Sequence, residues 1–147
     1  MNLFILSLIQ REIAQYMMDK HVSKILLEAV QMLCSAKRVL DPDDEVNDRI
    51  YKLAHKNHPV TIWCRKSKAN FIWTLDLVEE LHKEWRFRYR HSENKFHKSY
   101  LVSLILRENM PENALVIKKI FKQFITLCLE IFKINKMRIK CKIKKVL

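Results

Sequence analysis

The chain has 147 residues, with 28 Lys plus Arg against 16 Asp plus Glu, four Cys and no Gly. That length holds one ordinary domain with its own core. The lack of Gly excludes a Walker loop and a GxGxxG dinucleotide turn, because both need backbone positions that a Cβ obstructs; it also disfavours a sheet-rich fold, since tight hairpins favour Gly.

The charge is unevenly placed. Residues 1–115 carry 18 Lys/Arg and 15 Asp/Glu, a net of +3. Residues 116–147 carry 10 Lys/Arg and one acid, Glu130, a net of +9. The body is nearly neutral and the last fifth is basic, which suits phosphate backbones, an anionic membrane surface, or simply a solvated extension. We therefore divide the chain into a helical region, 1–115, and a basic amphipathic helix with a Lys/Ile-rich tail, 116–147.

In chain order, residues 2–6 read as a short buried strand or an extended lead-in. The apolar start is too short to span a bilayer and lacks a basic lead, so no signal peptide is expected. Ser7 and Gln10 have capping-box spacing, which predicts a helix from near Leu8 to about Leu40, with a break near Asp19. Asp41-Pro42-Asp43-Asp44 ends it. Residues 44–56 are polar and short of anchors. His58-Pro59 restarts the chain, and one long helix is predicted from Val60 to about Arg90. A polar loop, a short helix over Tyr100–Arg107 and a last helix from about Glu112 to Lys133 follow. The expected fold is mainly α, a single-domain bundle of four or five helices. Cys34, Cys64, Cys128 and Cys141 have no metal-ligand spacing and read as reduced intracellular thiols. No metal site is indicated, and the residues leave open whether a cofactor is used.

Three constellations carry the chemistry. On the second helix, His21, Lys24, Glu28 and Gln31 form a polar stripe opposite Val22, Ile25, Leu26, Ala29, Met32 and Leu33. The stripe offers a general base in His21 or Glu28, and in Lys24 a cation or amine nucleophile. It also fits a plain solvent face, with Lys24 and Glu28 an i,i+4 pair. In the second constellation, His55 and His58 lie three apart, too few for a zinc site. His58 before Pro59 suits a helix cap, or an anion held at a helix start. Farther on, Trp63, Ser67, Phe71, Thr74, Val78, Leu81 and Trp85 share one face, with Asn70 at its edge. Buried Ser67 and Asn70 need partners, either across the core or in a base pocket flanked by Trp63 and Trp73. In the third, Trp85-Arg86-Phe87-Arg88-Tyr89-Arg90 alternates rings with Arg, as nucleic-acid contacts do. On a helix only part of that set faces one ligand. Lys140, Lys142, Lys144 and Lys145 add cations in the tail.

Asp19-Lys20-His21-Val22-Ser23-Lys24-Ile25 with Glu28, Gln31-Met32-Leu33 and Ala36 resembles the signature of a small protein family associated with bacteriophages and large DNA viruses. His55-Lys56-Asn57-His58-Pro59, Ile62-Trp63, Arg65, Ser67, Asn70 and Trp73 resemble its second block. Glu84, Arg88-Tyr89 and His97-Lys98-Ser99 resemble its third. The order holds over about residues 1–115, and the layout is similar to that of viral pyrimidine-dimer DNA glycosylases. The resemblance implies a helical protein of the host-cell interior with DNA or a nucleotide as partner. No catalytic residue follows from the resemblance; the residue chemistry itself offers His21, Lys24 and Glu28 as catalytic candidates for an enzyme acting on DNA or nucleotides, and Gln31, His55, His58, Trp63, Ser67, Asn70 and Trp73 as substrate contacts. After about Leu115 the family's Trp- and Pro-containing continuation is replaced by Lys, Ile and Phe, which points to a divergent or truncated C-terminus. The alternatives are a non-catalytic nucleic-acid-binding module using Arg86, Arg88, Arg90 and the tail, and a membrane-surface or interaction protein using the last helix.

Overall fold

The computed structural model describes residues 3–112. The chain divides into two units, Met1–Ile117 and Lys118–Leu147, and the described residues all belong to the first. The predicted last helix beyond Glu112, Cys128, Cys141 and the lysines at 140, 142, 144 and 145 lie outside them.

The fold is mainly α. Five α-helices run in order: α1 (Gln10–Tyr16), α2 (Asp19–Leu40), α3 (Pro59–Lys66), α4 (Lys68–Arg88) and α5 (Lys98–Glu108), with a 3-10 turn over Glu45–Arg49. There is no strand among the described residues, so 3–6 is an extended lead-in with no sheet to join. No described helix is long and apolar enough to cross a membrane.

Helix α2 is the centre of the bundle and packs on α3, α4 and α5. Its apolar spacing explains this. Val22, Ile25, Leu26, Ala29, Met32 and Leu33 are all buried, and such a stripe is stable only against neighbours. Cys34, Ser35 and Lys37 are buried as well, because the second half of α2 is covered on more than one side. Helix α1 packs on α4.

Two predicted boundaries move. The break before α2 falls at Met17-Met18, with Met18 as N-cap and Asp19 already in the first turn. Ser7 does not cap a helix at Leu8; its hydroxyl bonds the Glu12 carboxylate and accepts from Ile9 N–H at 3.2 Å. The long helix predicted over Val60–Arg90 is two helices. Ser67 stands between them in extended backbone, φ −152° and ψ 152°. Its Oγ accepts from Asn70 N–H at 3.1 Å, so a serine expected on a buried face is the N-cap of α4.

The connection from α2 to α3 is held by the polar side of α2. Arg38 donates to Tyr51 O at 2.8 Å and also to the carbonyls of Asn47 and Ile50. Ser35 Oγ donates to Ala54 O at 2.7 Å and accepts from Ala54 N–H at 3.0 Å. The chain thus runs back along α2, Tyr51 beside Arg38 and Ala54 beside Ser35. The turn that follows, with His58 N–H on His55 O at 2.9 Å, delivers α3.

Candidate nucleic-acid interface

The α2 stripe stays at the surface. Lys24 is exposed, while His21, Glu28 and Gln31 are half-buried. The His21 ring lies 5.7 Å from that of Phe4, in the N-terminal lead-in. Ser23, between His21 and Lys24 in sequence, reaches His97 Nε2 at 3.4 Å. His97 Nδ1 already accepts from Ser99 N–H at 3.2 Å, at the start of α5. The neutral ring therefore carries its proton on Nε2 and donates to Ser23. That is the wrong tautomer for a base acting on the serine.

The second constellation closes into the core. His58 Nδ1 accepts from Val60 N–H at 3.3 Å and caps α3. His55 is exposed, with φ 49°. Asn70 is fully buried, and its Nδ2 donates to Trp63 O at 2.8 Å. Thr74 Oγ1 donates to Asn70 O at 2.8 Å and lies 3.5 Å from Cys64 Sγ. Trp63 and Trp73 meet edge to face, ring centres 5.7 Å apart, and both are buried. Ser67, Asn70 and Thr74 thus tie the α3–α4 elbow together. The tryptophans pack edge to face against each other in the core. Asn70 and the two tryptophans are buried while Lys24 is exposed, and none of them, nor His21, lines either cleft described below.

The arginine run separates by direction. Arg88 donates to Glu84 and Asp19 and to the carbonyls of Ala14, Gln15 and Met17. All of its N–H groups are used on the protein. Phe87 points to the α1 side, where it lines a cleft of about 450 Å³ with Arg11, Gln15 and Lys83. Arg86 is half-buried and Arg90 exposed, with φ 52° at the exit from α4.

Beside that exit is an aromatic cluster, only part of which is visible in the residue order. His82, on α4, is buried and lies over Tyr100 with ring centres 3.9 Å apart and planes 2° from parallel. Phe96 is 5.8 Å from His82 and 6.3 Å from Tyr100, within 8° of parallel to both. Trp85 contacts His91 at 4.2 Å and His97 at 5.1 Å. Burial and the nearby Arg86 and His97 push His82 down to about 4, and burial lowers His97 too. Both rings are held neutral. His82 gave no sequence signal beyond its place one turn after Val78. His97 and Ser99 stood in the third block of the resemblance without an assigned role.

A second cleft, about 530 Å³, lies at the other end of α2 and includes Asp41, Asp43, Asp44, Glu108 and Glu112. Buried Lys37 reaches Asp41 at 2.8 Å and Asp44 at 2.6 Å there. Among the described residues no cluster of His, Cys, Asp and Glu is arranged to hold a metal ion. Burial raises the Cys34 and Cys64 thiols to about 12, too high for a nucleophile at neutral pH.

No protein-family profile, curated protein or solved structure matches this chain.

Proposed function

We propose that this chain is a nucleic-acid-binding protein of the virus-associated kind it resembles, working in the interior of a host cell on DNA or its nucleotides. One observation carries the reading. Lys20, Lys24, Arg90, Lys95 and Lys98 are all exposed, and none has a carboxylate partner among the described residues. They come from the start of α2, the exit from α4, the connection that follows it and the start of α5. These elements are tied together by the Ser23–His97 contact and by Tyr89 Oη, which donates to Asp19 O at 3.1 Å. Cations left unpaired on adjoining elements attract a phosphate backbone and release its counterions. The tail lysines at 140, 142, 144 and 145 add to the same attraction.

Fluorescence anisotropy with labelled single- and double-stranded DNA across a salt series tests this. The expected result is binding that weakens steeply with salt and ignores base sequence. A full chain with the four tail lysines changed to Gln keeps part of its affinity, because the body contributes. Failure to bind either DNA at low salt removes the reading.

A base-processing enzyme is the second reading, and the accessible His21–Lys24–Glu28–Gln31 stripe favours it. If Lys24 is an amine nucleophile on a damaged sugar, borohydride traps the chain on damaged duplex, and Lys24→Ala abolishes the adduct.

A further inference from the structure

We infer that the end of the molecule formed by the last turn of α4, the 91–97 connection and the first turn of α5 is a stacking platform for unpaired bases, so that the preferred ligand is single-stranded nucleic acid. This rests on the nucleic-acid-binding reading above and specifies where and what the protein binds.

The argument starts from the rings. Phe96 is exposed at 45% although Tyr100 and His82 lie almost parallel to it. An aromatic ring held in a fixed plane by neighbours, with part of its surface in water, has little freedom left to lose when a base stacks on it. Tyr89 is also exposed, at 43%, and its ring is placed by its bond to Asp19 O and by its contacts with Trp85 and His91. The platform therefore has two half-open rings on a buried support of Trp85 and His82.

The charges fit the same ligand. Lys95 and Lys98 flank Phe96 in sequence, and Arg90 follows Tyr89, all exposed. Arg86 stands half-buried one turn earlier, its Nε without a hydrogen-bond acceptor among the described residues. Glu93 is the acid on the connection, while Asp19 and Glu84 are engaged by Arg88. Aromatic faces between cations bind single strands with little sequence preference, because every base has a stacking face. A duplex keeps its bases stacked on each other and offers this surface only phosphates.

The test is anisotropy of the full chain with an oligothymidylate and with a duplex of equal length. The single strand binds more tightly. Phe96→Ala weakens single-strand binding about tenfold, the size of one lost base stack, and leaves duplex binding unchanged. Phe96→Trp restores it. Should Phe96→Ala lose its helical circular dichroism, Phe96→Leu serves instead, because it keeps an apolar side chain of similar size without a stacking face. It weakens single-strand binding and leaves duplex binding unchanged. Equal loss for duplex and single strand, or no loss in either variant, overturns the platform while the broader reading survives. Absence of all DNA binding overturns both.

Discussion

Arg88 joins Asp19 across two helices, Nη1 to Oδ1 at 2.9 Å, while Nη1 also donates to Met17 O and Nη2 to Ala14 O and Gln15 O, capping the end of α1. The carbonyls of Ala14, Gln15 and Met17 would otherwise be left at a helix end without partners. The pair with Glu84, at 2.6 Å one turn back, holds the fork in place. An arginine that alternates with aromatic rings in sequence thus serves the junction of α1, α2 and α4.

Arg88→Ala removes that junction, and the expected cost is about 3 kcal/mol, several hydrogen bonds to a charged group being lost at once. Arg88→Lys recovers less than half, since an ammonium lacks the planar fork. Thermal unfolding of both variants measures this.

The α3–α4 elbow gives a second expectation. Ser67→Ala loses the cap of α4 and costs about 1 kcal/mol. Asn70→Ala costs more, about 2 kcal/mol, because a hydrogen bond between Asn70 and Trp63 O is lost inside the core. Both losses appear in denaturant midpoints. If these residues serve the fold, DNA affinity per folded molecule stays unchanged.

His82 makes stability depend on pH. In the folded chain its pKa is held down to about 4, chiefly by burial. The unfolded histidine takes a proton near pH 6.5, so on acidification the unfolded state binds protons first. The stabilisation is complete above about pH 6.5 and declines as pH falls toward 4, by about 3 kcal/mol in all. The lowered pKa of His97 acts in the same direction. Urea midpoints measured through this window fall with pH, and His82→Phe flattens the fall.

The buried thiols give a simple probe of packing. Cys34 and Cys64 are fully buried and raised to about 12. At neutral pH they resist a thiol reagent until the chain unfolds, then react at once. Early reaction of either thiol shows that α2 or α3 opens locally.

Local chemistry is enough to settle much of this fold. The apolar spacing of Val22, Ile25, Leu26, Ala29, Met32 and Leu33 specifies a buried helix wherever it packs, because the period belongs to the backbone. His58 before Pro59 marks a helix start for a similarly local reason, the need to satisfy the first N–H groups. The break at Ser67 is different. Helical periodicity from Trp63 to Trp85 accommodates one helix or two, and the cap on Asn70 N–H forms only once the elbow has bent. The aromatic tile of His82, Phe96 and Tyr100 joins two helices and their connection, so no pattern in residue order displays it.

The arginine run shows the same division most directly. Sequence supplies three like side chains at alternating positions and the aromatics between them. Tertiary structure decides their use, since a guanidinium is consumed only where acceptors come within reach. Arg88 meets the end of α1 and is consumed there, whereas Arg90 leaves α4 in a left-handed turn and keeps its charge exposed in water. Residue type sets what a side chain is able to bind, and the neighbour that packing brings to it determines whether that capacity is still free.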